Sequence, residues 1–217
     1  MIESKLISTK RKNMKKSVVI VGGSIAGLTA ALVLASAKNK ELDFEITIID
    51  EGKADLKNVA IYNVAMFPRG VEYKEIIEHT KRQIDSMLHV KYVDGEVTDI
   101  SGSKGSLHTK GSGIDFKSDY VILATGAGHF NIKGLGDIVK PHNLMNKPNK
   151  IRLEWSGRQQ VKDGVYVAGL ASGVTTMVGA AIGSATEAAC AILSDIKGEV
   201  AIVHDVPSSR EVKVVYK

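Results

Sequence analysis

Residues 22–27 read Gly-Gly-Ser-Ile-Ala-Gly, between the apolar run Val18-Val19-Ile20-Val21 and the alanine- and leucine-rich stretch that follows. A strand that enters a glycine turn and leaves as a helix aims unpaired backbone N–H groups, and the positive end of the helix, at one spot. That arrangement suits the diphosphate of a dinucleotide. Against the pattern G-x-G-x-x-G, Gly22 and Gly27 hold the first and third glycine positions and Ser24 the second. The first glycine makes the tight turn, and the third lets helix and strand pack closely. The second lets the backbone approach the phosphates. Serine is small enough to keep much of that approach, and its hydroxyl can donate to phosphate. Gly23, Ile25 and Ala26 complete the cradle. Asp50 ends the next apolar run, Glu45-Ile46-Thr47-Ile48-Ile49, where a carboxylate accepts from ribose hydroxyls. Glu51 is the substitute. The polar stretch 39–43 explains why Asp50 stands further from Gly22 than is usual.

The elements around these residues read as α/β. A first helix is expected over 25–37, a strand over 45–49, a helix over 71–89 and a strand over 90–93. Strand, helix and parallel strand form the first half of a doubly wound, Rossmann-like sheet. Short strands over 96–100, 107–109 and 114–116, separated by glycine and serine, predict a small β-meander insertion. Tyr120-Val121-Ile122-Leu123-Ala124 is a buried strand leading into Thr125-Gly126. Residues 127–150 read as irregular, and 151–155 with 158–161 as a hairpin about Ser156-Gly157. A last buried strand spans 165–168, and a small-residue helix spans 178–196. Residues 199–217 are expected to form a C-terminal extension, an edge hairpin or dimer contact.

The 217 residues suit one domain, here 17–198. Lys5, Lys10, Arg11, Lys12, Lys15 and Lys16 against Glu3 account for the whole net charge of +5. The domain itself is balanced, which argues against a nucleic-acid partner. Residues 1–16 read as a basic flexible leader. Cys190 is the one cysteine, so there is no CxxC pair and no Cys-based metal site. It sits among small residues as a packing side chain. The histidines show no ligand spacing, so no metal is expected. His129, after the Thr-Gly turn, is read as a loop residue and Trp155 as packing. No stretch reads as a signal or membrane span, and a cytoplasmic location is expected.

Three further segments narrow the cofactor. Val121-Ile122-Leu123-Ala124-Thr125-Gly126, Gly164-Val165-Tyr166-Val167-Ala168-Gly169 and the meander over 96–116, taken with the glycine turn, resemble the FAD domain of thioredoxin-reductase-like pyridine nucleotide–disulfide oxidoreductases. Phe67-Pro68-Arg69-Gly70-Val71 and Gly95-Glu96-Val97 follow that family's order, and the likeness spans about residues 17–196. It implies FAD, with Val97 at the adenine edge and Ala124, Thr125 and Gly126 as the close wall. Gly169, Leu170, Thr176 and Met177 would lie toward the flavin.

The departures are as informative. The family inserts a second dinucleotide domain before the last strand, but residues 127–164 contain no second strand–glycine-turn–helix and no CxxC. Leu170 stands where the family usually has Asp, and Thr176-Met177 where it often has Arg-Gln. The sequence therefore points to an FAD-binding oxidoreductase whose electron donor and acceptor come from outside the chain, NAD(P)H or an electron-transfer protein. It would lack thioredoxin reductase activity, and a homodimer is expected. A non-catalytic or partner-dependent FAD-binding subunit is the alternative. A lone NAD-binding domain and a thiazole-synthase-like protein are weaker readings.

Overall fold

Val18, Val19, Ile20 and Val21 are apolar on both faces of their strand, so both faces must be covered. The computed structural model describes residues 14–54 and 56–203. In it β1 (Met14–Val21) leads into α1 (Ile25–Ser36), which returns the chain to β2 (Leu42–Asp50). Two short strands follow, β3 (Ala60–Ile61) and β4 (Val71–Glu72), and then α2 (Tyr73–Asp85) and β5 (Lys91–Asp94). The meander is β6 (Val97–Ser103), β7 (Ser106–Gly111) and β8 (Ile114–Ser118), and β9 (Tyr120–Leu123) returns to the main sheet. A hairpin of β10 (Val139–Pro141) and β11 (Ile151–Leu153) precedes β12 (Gln160–Lys162) and β13 (Val165–Val167). A 3-10 turn over Gly169–Ser172 leads to α3 (Val178–Lys197).

The main sheet runs β12-β13-β9-β1-β2-β5. Its strands are parallel except for β12, which pairs antiparallel with β13. The chain thus has the expected α/β architecture with a parallel, Rossmann-like sheet. Side-chain alternation along β1 sorts the core into two layers. Val18 and Ile20 pack with Leu28, Leu34, Ala185 and Ile192 under α1 and α3. Val19 and Val21 pack with Val97, Leu107, Leu153 and Val167 under the meander and the β10–β11 hairpin. Helices therefore cover one face and β-structure the other.

Several boundaries differ from the sequence reading. β1 begins at Met14, so Lys15 and Lys16 belong to the sheet, where Lys15 meets Glu45 at 2.9 Å. Val71 is in a strand rather than in α2. The helix starts at Tyr73 because Glu72 and Glu75 form a reciprocal capping box there. The hairpin about Ser156-Gly157 does not form as expected. β11 pairs with β10 upstream, and β12 pairs with β13 around Asp163-Gly164, where Gly164 takes φ +78°. Asp-Gly is the stronger hairpin signal because the turn needs positive φ. A single bridge between Ser156 and Gln160 remains of the expected pairing. Residues 200–203 form no strand, although Ala201 is buried and its N–H donates to Ser194 Oγ at 3.0 Å. The expected pairing with 212–216 lies outside the described residues, as does the leader over 1–13. Cys190 is buried and unpaired, and burial is the main cause holding its thiol above the usual range.

A carboxylate sets the register of β1 against β9. Asp119 Oδ2 accepts from the Ser17 N–H and the Ser17 hydroxyl, both at 2.8 Å, and Lys16 Nζ lies 3.5 Å from Oδ1. Burial pushes this carboxyl up, but the Ser17 donors and Lys16 outweigh it and hold it below 3.8. A depressed carboxyl stabilises the fold above its unfolded pKa and loses that contribution as pH falls through the folded one. Asp119→Asn is expected to lower the thermal midpoint at pH 7, by about 2–4 °C per kcal/mol lost. In melts across pH, the gap to the wild-type protein should close as the pH drops below 3.8.

Candidate functional site

The glycine turn lies where β1, β2 and β9 end together. Its backbone is tied to both neighbours: the Gly22 N–H donates to Ile49 O at 2.7 Å, and the Ala124 N–H to Val21 O at 2.8 Å. Gly22 has φ +108°, and a Cβ there would run into the Ala124 carbonyl. A Cβ on Gly27 would run into the Gly22 carbonyl. These are the tight turn and the close helix–strand packing that the sequence pattern implied.

Ser24 is the N-cap of α1, in extended backbone, yet its side chain caps nothing. No acidic residue occupies the first turn. The first N–H groups of the helix are left to an external acceptor, and the dipole favours an anion there. The Ser24 hydroxyl is instead engaged from α2, where Tyr73 Oη donates to Ser24 Oγ at 3.1 Å. The sequence reading missed Tyr73, because nothing in the spacing of two residues so far apart announces that they meet.

Asp50 flanks the turn on the β2 side. A Cβ on Gly23 would lie 3.0 Å from Asp50 Oδ2, while Asp50 Oδ1 accepts from the Gly52 N–H at 3.2 Å. Glu51 is exposed and paired with Lys53 at 2.7 Å, so Asp50 is the carboxylate that faces the glycines. The Asp50 carbonyl accepts from the Gly95 N–H at 3.0 Å, which brings the start of the meander to this corner. The Val97 side chain is buried in the core, so any contact it makes with a ligand falls to its backbone.

On the β9 side, Ala124 is buried and Gly126 takes φ +73° with open space where a Cβ would stand. Thr125 Oγ1 is buried and has no hydrogen-bond partner. A buried hydroxyl without a partner is costly unless a ligand supplies one. The cradle, the uncapped helix and this hydroxyl fit the adenosine diphosphate half of FAD.

The turn after β13, expected to lie toward the flavin, is built differently. Gly169 has φ +69°, a Cβ there would lie 2.8 Å from Ala26, and its N–H donates to Ser184 Oγ at 2.8 Å. This fixes the 3-10 turn against α1. Leu170 is half-buried and offers no carboxylate. The segment that precedes β12 is bonded onto this turn. His142 Nδ1 accepts from the Leu144 N–H at 3.1 Å, so the other ring nitrogen carries the proton and donates to Leu170 O at 3.2 Å. Trp155 Nε1 donates to Ser172 O at 2.8 Å. Arg152 Nε is buried without a partner, with its Cδ 2.9 Å from where a Cβ of Gly173 would be. Thr176 and Met177 are exposed at the start of α3, whose N-cap, Met177, makes no side-chain cap. Met177 Sδ lies 3.8 Å from Asn63 Nδ2. His142, Arg152 and Trp155 were not read as site residues, because their contacts depend on the β10–β11 pairing.

His129 is exposed in the loop after Gly126. Among the described residues no three His, Cys, Asp or Glu side chains gather as a metal site, and no helix is long and apolar enough to cross a membrane.

Gly22→Ala and Gly126→Ala both force a side chain into positive φ, but only the first also meets backbone. Gly126→Ala is expected to cost about 1–2 kcal/mol from strain alone. Gly22→Ala should cost distinctly more, read as the difference in denaturation midpoints; equal costs would contradict the close approach.

Comparison with known proteins agrees with this geometry. The family model described as pyridine nucleotide-disulphide oxidoreductase matches residues 16–213. A curated relative is one component chain of the ferredoxin/F(420)H(2)-dependent CoB-CoM heterodisulfide reductase of Methanosarcina acetivorans. It is 29% identical over 105 residues, which span 48% of this chain and 12% of that protein. Among solved structures, a thioredoxin reductase from Gloeobacter violaceus has a TM-score of 0.70 at 15% identity, covering 90% of this chain and 100% of the other. An oxidoreductase from Agrobacterium tumefaciens has 0.69 at 18%, covering 86% and 100%. A ferredoxin-flavin thioredoxin reductase from Clostridium acetobutylicum has 0.61 at 14%, covering 85% and 99%. At these identities the likeness is one of fold.

Proposed function

The chain belongs to the pyridine nucleotide-disulphide oxidoreductase family, and from that premise we propose a single FAD-binding unit over residues 17–198 that exchanges electrons with molecules outside the chain. It is an FAD-binding flavoprotein of oxidoreductase type. The observation that carries the residue assignment is the unpartnered Thr125 hydroxyl beside the uncapped N-terminus of α1. The N–H groups of residues 24–27 hold the diphosphate, with Gly22 and Gly23 keeping the wall open. Asp50 accepts from the adenosine ribose, and Thr125 and Gly126 close the opposite side. Gly169, Leu170, Thr176 and Met177 lie toward the flavin. Bound FAD supplies hydride or electron transfer at its ring system.

Donor and acceptor are proposed to come from outside because the stretch 127–164 is filled by the β10–β11 hairpin and its connections. NAD(P)H and an electron-transfer protein are the two candidates. Leu170 favours a second reading, in which a partner chain completes the flavin site, and the relative from Methanosarcina is itself named as one subunit of a larger enzyme. A homodimer would cover the exposed Tyr62, Met66 and Met177. The buried, unpaired Cys190 fits the reducing cytoplasm proposed for the protein.

Purified protein is expected to be yellow and to release FAD on denaturation; a colourless protein that takes up NAD and no FAD would overturn the cofactor assignment. Anaerobic bleaching by NADH or NADPH supports direct reduction, whereas a flavin that stays oxidised with both favours the partner. Asp50→Ala should weaken FAD by about ten- to a hundred-fold, the range for losing one hydrogen bond to a charged acceptor, in equilibrium titrations followed by flavin fluorescence.

A further inference from the structure

The Ser24 hydroxyl has two alternatives in a helix of this kind. As an N-cap serine in extended backbone it would normally accept an N–H from the first turn of its own helix. Here it makes no such bond, and its oxygen accepts from Tyr73 Oη at 3.1 Å. A serine hydroxyl has one proton to give. With its oxygen turned toward Tyr73, that proton is left for a third group.

Tyr73 is placed to impose this choice. It is the first residue of α2, it is 9% exposed, and it packs with Ile25, Ile61, Val71, Ile76 and Val178. The ring is thus held between the start of α1 and the start of α3, and the capping box of Glu72 and Glu75 fixes the turn it comes from. Burial raises its phenol above the ordinary range. The charge of Asp50 adds to the rise, so at neutral pH the phenol keeps the proton it donates to Ser24.

We propose that Tyr73 is a positioning residue for the diphosphate of the cofactor: its bond holds the Ser24 side chain toward α2 and away from the first-turn N–H groups, which leaves those groups to the ligand and the Ser24 proton free for the phosphates. The proposal rests on the FAD assignment and adds to it a residue from outside the glycine turn. It separates the phosphates from the adenosine, because the adenosine ribose is held by Asp50 on the other side of the turn.

The test measures ADP and adenosine as competitors of FAD, by flavin fluorescence, for wild type, Tyr73→Phe, Ser24→Ala and the double variant. Tyr73→Phe is expected to weaken ADP about ten-fold, the scale of one charge-assisted hydrogen bond, and to leave adenosine within two-fold. It should add nothing once Ser24 is alanine. Unchanged ADP affinity, an equal loss for adenosine, or additive losses in the double variant would each overturn the role. If Tyr73→Phe does not fold, Ser24→Ala decides: unchanged ADP affinity overturns the proposal, and a loss confined to ADP supports it. A wild-type chain that binds neither FAD nor ADP overturns the cofactor assignment together with this proposal. A wild type that binds FAD, with Tyr73→Phe indistinguishable from it, overturns the proposal alone.

Discussion

Backbone touches backbone at the carboxyl end of β1, and the rest of the site depends on that closeness. Gly22 faces the Ala124 carbonyl and Gly27 faces the Gly22 carbonyl, with no room at either place for a Cβ. Because β9 can come this near, Thr125 and Gly126 form one wall of the turn. Because α1 can come this near, its first N–H groups open on the same spot. Gly169 repeats the constraint from β13, where Ala26 lies 2.8 Å from a would-be Cβ. Three strands and the start of one helix thus converge closely, and the space left is polar because backbone N–H groups line it together with Ser24, Asp50 and Thr125.

The two halves of the site are held by different means. The glycine turn is held by the parallel sheet itself, through the ladder bonds on either side of Gly22. The 3-10 turn after β13 is held by side chains that flank a separate small hairpin, with His142 and Trp155 each donating to a carbonyl of the turn. Bonds of this kind are individually worth about 0.5–1.5 kcal/mol. They hold one short turn rather than a sheet, so this is the half that can change with fewer consequences for the fold. Leu170 is where that change is visible: its carbonyl is used by His142, and its side chain contributes no charge.

Much of the fold was legible in the sequence because each legible element carries its own signal. β1 and β9 carry continuous apolar runs, β2 alternates apolar and polar residues before Ile48-Ile49, α1 and α3 are small-residue helices, and the meander is punctuated by glycine and serine. The hairpin was misread because Ile151-Arg152-Leu153 is an equally good partner for two neighbours. Its choice of β10 is settled by burial of Leu153 and Ile151 against the sheet, and by Trp155 being used on Ser172. The Asp163-Gly164 turn was a local signal overlooked beside Ser156-Gly157. Among the site residues, Gly22, Ser24, Gly27, Asp50 and Thr125 stand together in space. Val97 turns its side chain inward with Ile100, the register shift between Val97 and Asp99 putting both on the core face.

The order of the glycine turn, the acid after β2 and the Ala-Thr-Gly end of β9 determined by themselves that a dinucleotide is bound, because those features are local and each needs a particular residue type. Only the tertiary structure decided which side chains complete the site. Tyr73 meets Ser24, and His142 meets Leu170, across long stretches of chain whose spacing has no fixed geometric meaning. A side-chain hydroxyl finds such a distant partner through packing. In this chain it was the packing of α2 against the starts of α1 and α3 that put the Tyr73 phenol against the Ser24 hydroxyl.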